Sequence, residues 1–108
     1  MTEGLDIEAA HLAQVRAILA GHLPAGVAVL VFGSRARGGA KRFSDLDLAL
    51  NGAAVLEPAL IGRLATAFEH SDLPWRVDLV DLHALSPTFR AAIEPELVRL
   101  VLDVSAER

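Results

Sequence analysis

Several features are missing from this 108-residue sequence, and each absence excludes a class of protein. There is no cysteine, so disulfide bonds, thiolate metal ligands and cysteine nucleophiles are excluded. No apolar run approaches the ~20 residues with which a helix spans a bilayer. The first residues are acidic rather than basic, so the pattern of a signal peptide is missing as well. We therefore expect a cytoplasmic protein that does not bind a membrane.

Positive charge is also scarce. The formal net charge is −4, which argues against DNA as a partner because nucleic acids attract basic surfaces. Four of the ten basic residues nevertheless lie between positions 35 and 42, in a stretch without an acid. The positive charge is thus concentrated in one short segment, where it could bind a small anion.

The composition is that of an ordered globular protein, with 53% hydrophobic and 22% charged residues. At this length we expect a single domain over residues 1–108. Four histidines are scattered without the spacing of metal ligands and are expected at the surface or its boundary: His11, His22, His70 and His83.

Apolar spacing along the chain predicts a series of helices and strands. The predicted elements are helices at 5–22, 57–70 and 87–94, a helical turn at 34–39, and strands at 27–32, 44–50 and 75–80. The segment 97–102 suits a strand or a short helix equally well. The short connection between the first two strands permits an antiparallel pair, and the helix after the second strand favours a parallel crossover to the third. We expect an α/β (α+β) domain with a small mixed sheet flanked by helices.

Most residues that could bind a metal ion or phosphates lie between positions 29 and 50. A wholly apolar strand leads into Gly33-Ser34 and the basic segment, and the next strand begins with Asp45-Leu46-Asp47. Side chains two apart on a strand share a face, so Asp45 and Asp47 are predicted side by side. Paired carboxylates repel each other unless a cation lies between them, and Mg²⁺ binds through one or two carboxylates together with substrate phosphates. Glycine N–H groups, a hydroxyl and cationic side chains nearby would suit those phosphates.

A third acid stands in the middle of the third predicted strand. Asp78 lies among Val77, Leu79 and Val80, where an unpaired carboxylate would be costly to bury. Asp81 is out of phase with it at the end of the strand and is the poorer candidate. If the two strands are neighbours, Asp78 joins the acidic pair, and it could bind metal or accept a proton from an attacking hydroxyl.

These residues together resemble the signature of a known family. Gly33-Ser34, ten further residues, Asp45-Leu46-Asp47 and then Val77-Asp78-Leu79 are similar to the pattern of the minimal nucleotidyltransferases, a branch of the polymerase-β-like superfamily. The resemblance covers nearly the whole chain and implies the fold of that superfamily. Its motif is intact in this sequence.

The resemblance implies a role for each residue of the motif. The metal ligands would be the three aspartates Asp45, Asp47 and Asp78, with Asp78 alternatively acting as the base. Gly33 and Ser34 would hold the β- and γ-phosphates of a nucleoside triphosphate. Arg35 and Arg37 match the basic loop and are predicted to contact phosphates, with exposure to solvent as the alternative.

The resemblance also implies a reaction, an acceptor and a partner. Small members of the family are often antitoxins of HEPN-type ribonuclease toxins, and several transfer AMP to a tyrosine of that partner. The implied function is therefore transfer of AMP from ATP, with two Mg²⁺ ions, to a hydroxyl of a HEPN-family toxin.

Two alternatives stay open at this point. The same chemistry could modify a small hydroxyl compound, as in aminoglycoside nucleotidyltransferases. A non-catalytic antitoxin could instead act by binding alone, through an apolar surface in residues 87–108. The side chains available for such a surface are Phe89, Ile93, Leu97, Leu100 and Leu102, although core packing is expected for most of them.

Overall fold

The computed structural model describes residues 5–102. The helices are α1 (Ala9–His22), α2 (Ser34–Arg37), α3 (Pro58–Glu69) and α4 (Pro87–Ile93), the last continuing into a 3₁₀ helix at Glu94–Glu96. The strands are β1 (Ala28–Phe32), β2 (Leu46–Asn51), β3 (Val77–Asp81) and β4 (Val98–Leu100). Within residues 5–102, no helix has the length and apolar character needed to cross a membrane.

The four strands form one mixed sheet in the order β3-β2-β1-β4. β1 pairs antiparallel with β2 and β4, and β2 pairs parallel with β3, with α3 as the crossover. The predicted α/β class, the antiparallel first pair and the parallel second pair are therefore confirmed. The segment 97–102, which the sequence left open, forms the short strand β4.

One face of the sheet carries the larger part of the core. Alternate residues of β1 and β2 pack there against α1 and α3. The strands contribute Val29, Val31, Leu46, Leu48 and Leu50, and the helices contribute Val15, Leu19, Leu64 and Phe68. On the opposite face a smaller cluster joins Phe32, Ala49 and Leu82 to Ile93 of α4. Because α4 covers only part of this second face, polar side chains of the central strands can remain accessible beside it.

Several predicted boundaries differ from the structure. The first helix begins at Ala9 rather than at residue 5, because Asp6 instead bonds to the loop after β1 through its backbone and its carboxylate. β2 begins at Leu46 rather than at Ser44. In the C-terminal segment Ile93 and Leu100 are buried, as core packing requires, whereas Phe89 is 46% exposed. Residues 103–108 lie outside the described residues.

Asp81 has a structural role on the face opposite Asp78. Its side chain is 5% exposed and accepts hydrogen bonds from the backbone N–H groups of Leu56 (2.7 Å) and His83 (2.9 Å). The carboxylate thereby ties the loop before α3 to the end of β3. Both of its oxygens are used in this way.

Replacing Asp81 with alanine is expected to destabilise the protein. Two N–H groups would lose their charged acceptor, and the free energy of unfolding should fall by roughly 2–3 kcal/mol. Chemical denaturation measures this, with Asp72→Ala as the control because Asp72 is exposed. Equal stability of the two variants would contradict the role assigned to Asp81.

Candidate active site

Asp47 and Asp78 are direct neighbours across the parallel pair β2–β3. The register pairs Asp47 with Asp78 on one side and with Phe32 of β1 on the other. Paired residues of adjacent strands share a face, so both carboxylates lie on the face that α4 covers in part. The Asp78 side chain is 43% exposed, and its Oδ1 is 3.3 Å from the guanidinium of Arg76. The aspartate in β3 thus lies beside the acidic pair rather than in the interior.

Asp45 comes close to this pair from outside the sheet. β2 starts one residue later, at Leu46. A turn closed by the hydrogen bond from the Ser44 N–H to the Lys41 carbonyl leads into Asp45, the residue directly before the strand. Asp45 is nevertheless near enough for its charge to act on Asp47.

The surroundings of Asp47 disfavour the ionised form of its carboxyl group. Burial raises the pKa of Asp47, and the negative charges of Asp78, Asp45 and Glu96 raise it further, while Arg37 opposes them. A divalent cation at this position would relieve that repulsion, and the donor atoms around it are all carboxylate oxygens, which suit Mg²⁺. Among residues 5–102, no group of three or more acids or histidines is arranged to hold a metal alone. The residues therefore fit an ion that completes its coordination with substrate phosphates and water.

Gly33 is required at its position by Asp47. Gly33 has a φ of 77°, a backbone conformation that side chains disfavour, and a Cβ there would overlap Oδ2 of Asp47. The absent side chain leaves room for the Asp47 carboxylate at the end of β1. Ser34 follows as the first residue of α2, and its hydroxyl has no hydrogen-bond partner among residues 5–102.

Arg35 does not face the acids. The side chain is 5% exposed, and its three nitrogens donate to the carbonyl oxygens of Ser44 (3.0 Å), Asp6 (2.8 Å) and Arg42 (3.3 Å). Its guanidinium lies 4.5 Å from the ring centroid of Trp75. The predicted phosphate contact of Arg35 is therefore not supported, since its donors are used inside the loop that leads to Asp45.

Arg37 lies on the side of the site that faces solvent and meets an acid that sequence reasoning missed. Its Nη1 donates to Oε1 of Glu96 at 3.0 Å, and the same oxygen accepts the backbone N–H of Gly33 at 3.1 Å. Gly33 was predicted to bind a phosphate, whereas in the structure its N–H donates to Glu96. Nothing in the sequence marks Glu96, because its position depends on the pairing of β4 with β1.

The two arginines of the loop should differ sharply in their effect on stability. Arg35→Ala would leave three carbonyls without their charged donor and remove the contact with Trp75, so the free energy of unfolding should fall by roughly 2–4 kcal/mol. Arg37→Ala, at a side chain that is 56% exposed, should change it by less than about 0.5 kcal/mol. Urea denaturation compares them, and a similar loss in both variants would overturn this distinction.

Asp47→Asn is expected to stabilise the metal-free protein at neutral pH. Because the folded-state pKa of Asp47 lies above its ordinary value, the folded protein binds more protons between those two values, and its stability falls as the pH rises through that window. Asparagine removes this loss, so the gain should be full at neutral pH and shrink toward about pH 4. Denaturation in EDTA at both pH values measures the gain, with Asp72→Asn as the control. A less stable Asp47→Asn protein at neutral pH would contradict the raised pKa.

Comparisons with known sequences identify the family of this chain. A family model described as polymerase beta nucleotidyltransferase matches residues 14–101. A Haemophilus influenzae protein named "Probable protein adenylyltransferase MntA" is 44% identical over 104 residues, which cover 96% of this chain and 86% of that protein.

Solved structures share the fold. A chain of a toxin–antitoxin crystal structure with AMP-PNP superimposes with a TM-score of 0.69 at 26% identity, covering 88% of this chain and 76% of that chain. A chain from the complex of the tri-AMPylated Shewanella oneidensis HEPN toxin with MNT antitoxin gives a TM-score of 0.63 at 22% identity, with 85% and 70% covered, and shows the fold alone. The predicted superfamily and enzyme class are therefore confirmed, and this chain belongs to the polymerase beta nucleotidyltransferase family.

Proposed function

We propose that this nucleotidyltransferase is the cytoplasmic antitoxin of a HEPN-type toxin and transfers AMP from ATP to a hydroxyl of that toxin. The observation that carries the proposal is the register of Asp47 with Asp78 beside Gly33-Ser34. The choice of AMP and of a protein acceptor is supported by the relative named as a protein adenylyltransferase, and by the toxin–antitoxin structure with AMP-PNP.

The acids would form the metal-binding side of the site. Asp47 and Asp78, assisted by Asp45, would hold Mg²⁺, for which we propose two ions. The bound metal would neutralise the charge that builds up on the phosphates during transfer. The raised pKa of Asp47 supports this assignment, since burial and the charges of Asp78 and Asp45 disfavour its ionised form in the absence of a cation.

The loop after β1 would hold the triphosphate. The Ser34 hydroxyl has no hydrogen-bond partner among the described residues and opens α2 next to Asp47, so it is the group we assign to a phosphate oxygen. Gly33 contributes by giving the Asp47 carboxylate room. Of the two arginines that match the basic loop, Arg37 remains available for phosphates, and Arg35 maintains the shape of the loop from inside.

The reaction follows from these positions. The hydroxyl oxygen of the acceptor attacks the α-phosphorus of ATP, and the bond from that phosphorus to the bridging oxygen of the pyrophosphate breaks. Asp78, whose side chain is 43% exposed at the accessible edge of the pair, accepts the hydroxyl proton. Pyrophosphate leaves with the electron pair of the broken bond, and Arg37 is positioned to balance part of its charge.

Loss of the acids should abolish transfer. The purified protein is incubated with ATP, Mg²⁺ and the HEPN partner, and AMP on the partner is located by mass spectrometry. Asp45→Asn, Asp47→Asn and Asp78→Asn should each lower the rate by about 100-fold or more, because each removes a charge from the reacting centre. Asp72→Asn, at an exposed site outside β2 and β3, should match the unchanged protein.

Two results would overturn the proposal. If the unchanged protein places no AMP on the partner in the presence of Mg²⁺, the transfer reaction is wrong. If Asp47→Asn protein transfers no AMP yet still neutralises the toxin at equal concentration, the antitoxin acts by binding instead.

A further inference from the structure

We propose that Glu96 is a positioning residue that holds Arg37 against the triphosphate site by bridging it to Gly33. One oxygen, Oε1, accepts both the Gly33 N–H (3.1 Å) and Nη1 of Arg37 (3.0 Å). Among the described residues, Arg37 has no other partner for its guanidinium. The proposal rests on the proposed function, because the position of Arg37 matters for activity only if a triphosphate binds beside it.

The position of Glu96 follows from the sheet. β1 and β4 pair with Val31 opposite Val98, so the same antiparallel register continued by two residues sets Gly33 opposite Glu96. The carboxylate of Glu96 therefore takes the place of the next acceptor in the ladder, just where β1 ends. The Cα of Gly33 lies against the Asp47 carboxylate, so the hydrogen bond between Gly33 and Glu96 is directly beside the acids.

The backbone that carries Glu96 is held in place. Glu96 ends the 3₁₀ helix, which contains Pro95, and the Leu97 N–H bonds back to the Glu94 carbonyl at 3.3 Å. Ile93, directly before this turn, is buried in the cluster beneath α4. A carboxylate on such a support can fix a long, half-exposed arginine at a modest entropic cost.

Gly33 connects Arg37 to the reacting centre. The Glu96 oxygen that accepts from Arg37 also accepts from the Gly33 N–H, and the Asp47 carboxylate lies directly against Gly33. Without the bridge the arginine would be an unattached side chain on a four-residue helix, free to turn away from the acids. The bridge limits that motion and leaves the remaining guanidinium nitrogens free of hydrogen bonds to residues 5–102.

Nucleotide binding provides the test. Isothermal titration measures the affinity of the full chain for Mg²⁺–AMP-PNP in Glu96→Ala, Glu96→Gln, Arg37→Ala and the double variant Glu96→Ala/Arg37→Ala. Glu96→Ala should weaken binding by about 10-fold because Arg37 loses its position. Glu96→Gln keeps an acceptor oxygen and should bind within about 3-fold of the unchanged protein. In the Arg37→Ala background, removing Glu96 should have no further effect.

A matched control and a second measurement separate the possible explanations. Glu94→Ala removes an exposed acid from the same turn and should leave affinity unchanged. The Gly33 amide resonance, followed by NMR without nucleotide, should shift in Glu96→Ala and stay near its original position in Glu96→Gln. This measurement reports the bridge even if the proposed reaction fails.

Three results would overturn the role of Glu96. Tighter nucleotide binding in Glu96→Ala would mean that the carboxylate competes with phosphate. A loss that persists undiminished in the Arg37→Ala background would mean that Glu96 only supports the fold. An unmoved Gly33 amide would mean that the bridge does not exist in solution. Absence of AMP-PNP binding in the unchanged protein would instead overturn the proposed function.

Discussion

Two like charges held side by side across β2 and β3 are the constraint on which the site depends. The register makes Asp47 and Asp78 share a face, and burial together with the negative charge of Asp78 raises the pKa of Asp47. A protein tolerates such repulsion when a ligand relieves it, since strained or mismatched groups concentrate where function requires them. Gly33 belongs to the same arrangement, because only a residue without a side chain fits against the Asp47 carboxylate.

The loop between β1 and β2 is shaped by two arginines with opposite roles. Arg35 extends inward, where Trp75 and three carbonyl oxygens take up its charge and fix the path of the chain toward Asp45. Arg37 extends outward and is held by Glu96. The hydrogen bonds of Arg35 fix the loop, so its guanidinium cannot also bind a ligand. Arg37 keeps guanidinium nitrogens that a ligand can contact.

The sequence predicted the strands of the sheet and the adjacency of Asp47 and Asp78, because both depend largely on local properties. Alternation along a strand, the connection lengths and the glycine-serine motif are all read within a few residues, and they predicted the directions of the first three strands. The rest depends on distant contacts. Glu96 becomes visible only once β4 is paired with β1, and the inward turn of Arg35 requires Trp75 and Asp6 from remote parts of the chain. The start of β2 was also predicted two residues too early, at Ser44 instead of Leu46.

The most direct test of this account is the position of a divalent ion in crystals grown with Mn²⁺ and AMP-PNP. Anomalous scattering locates the manganese independently of the protein model. The account predicts a peak within bonding distance of carboxylate oxygens from both Asp47 and Asp78, with nucleotide phosphates completing the coordination. Bound nucleotide whose manganese contacts neither aspartate would contradict it.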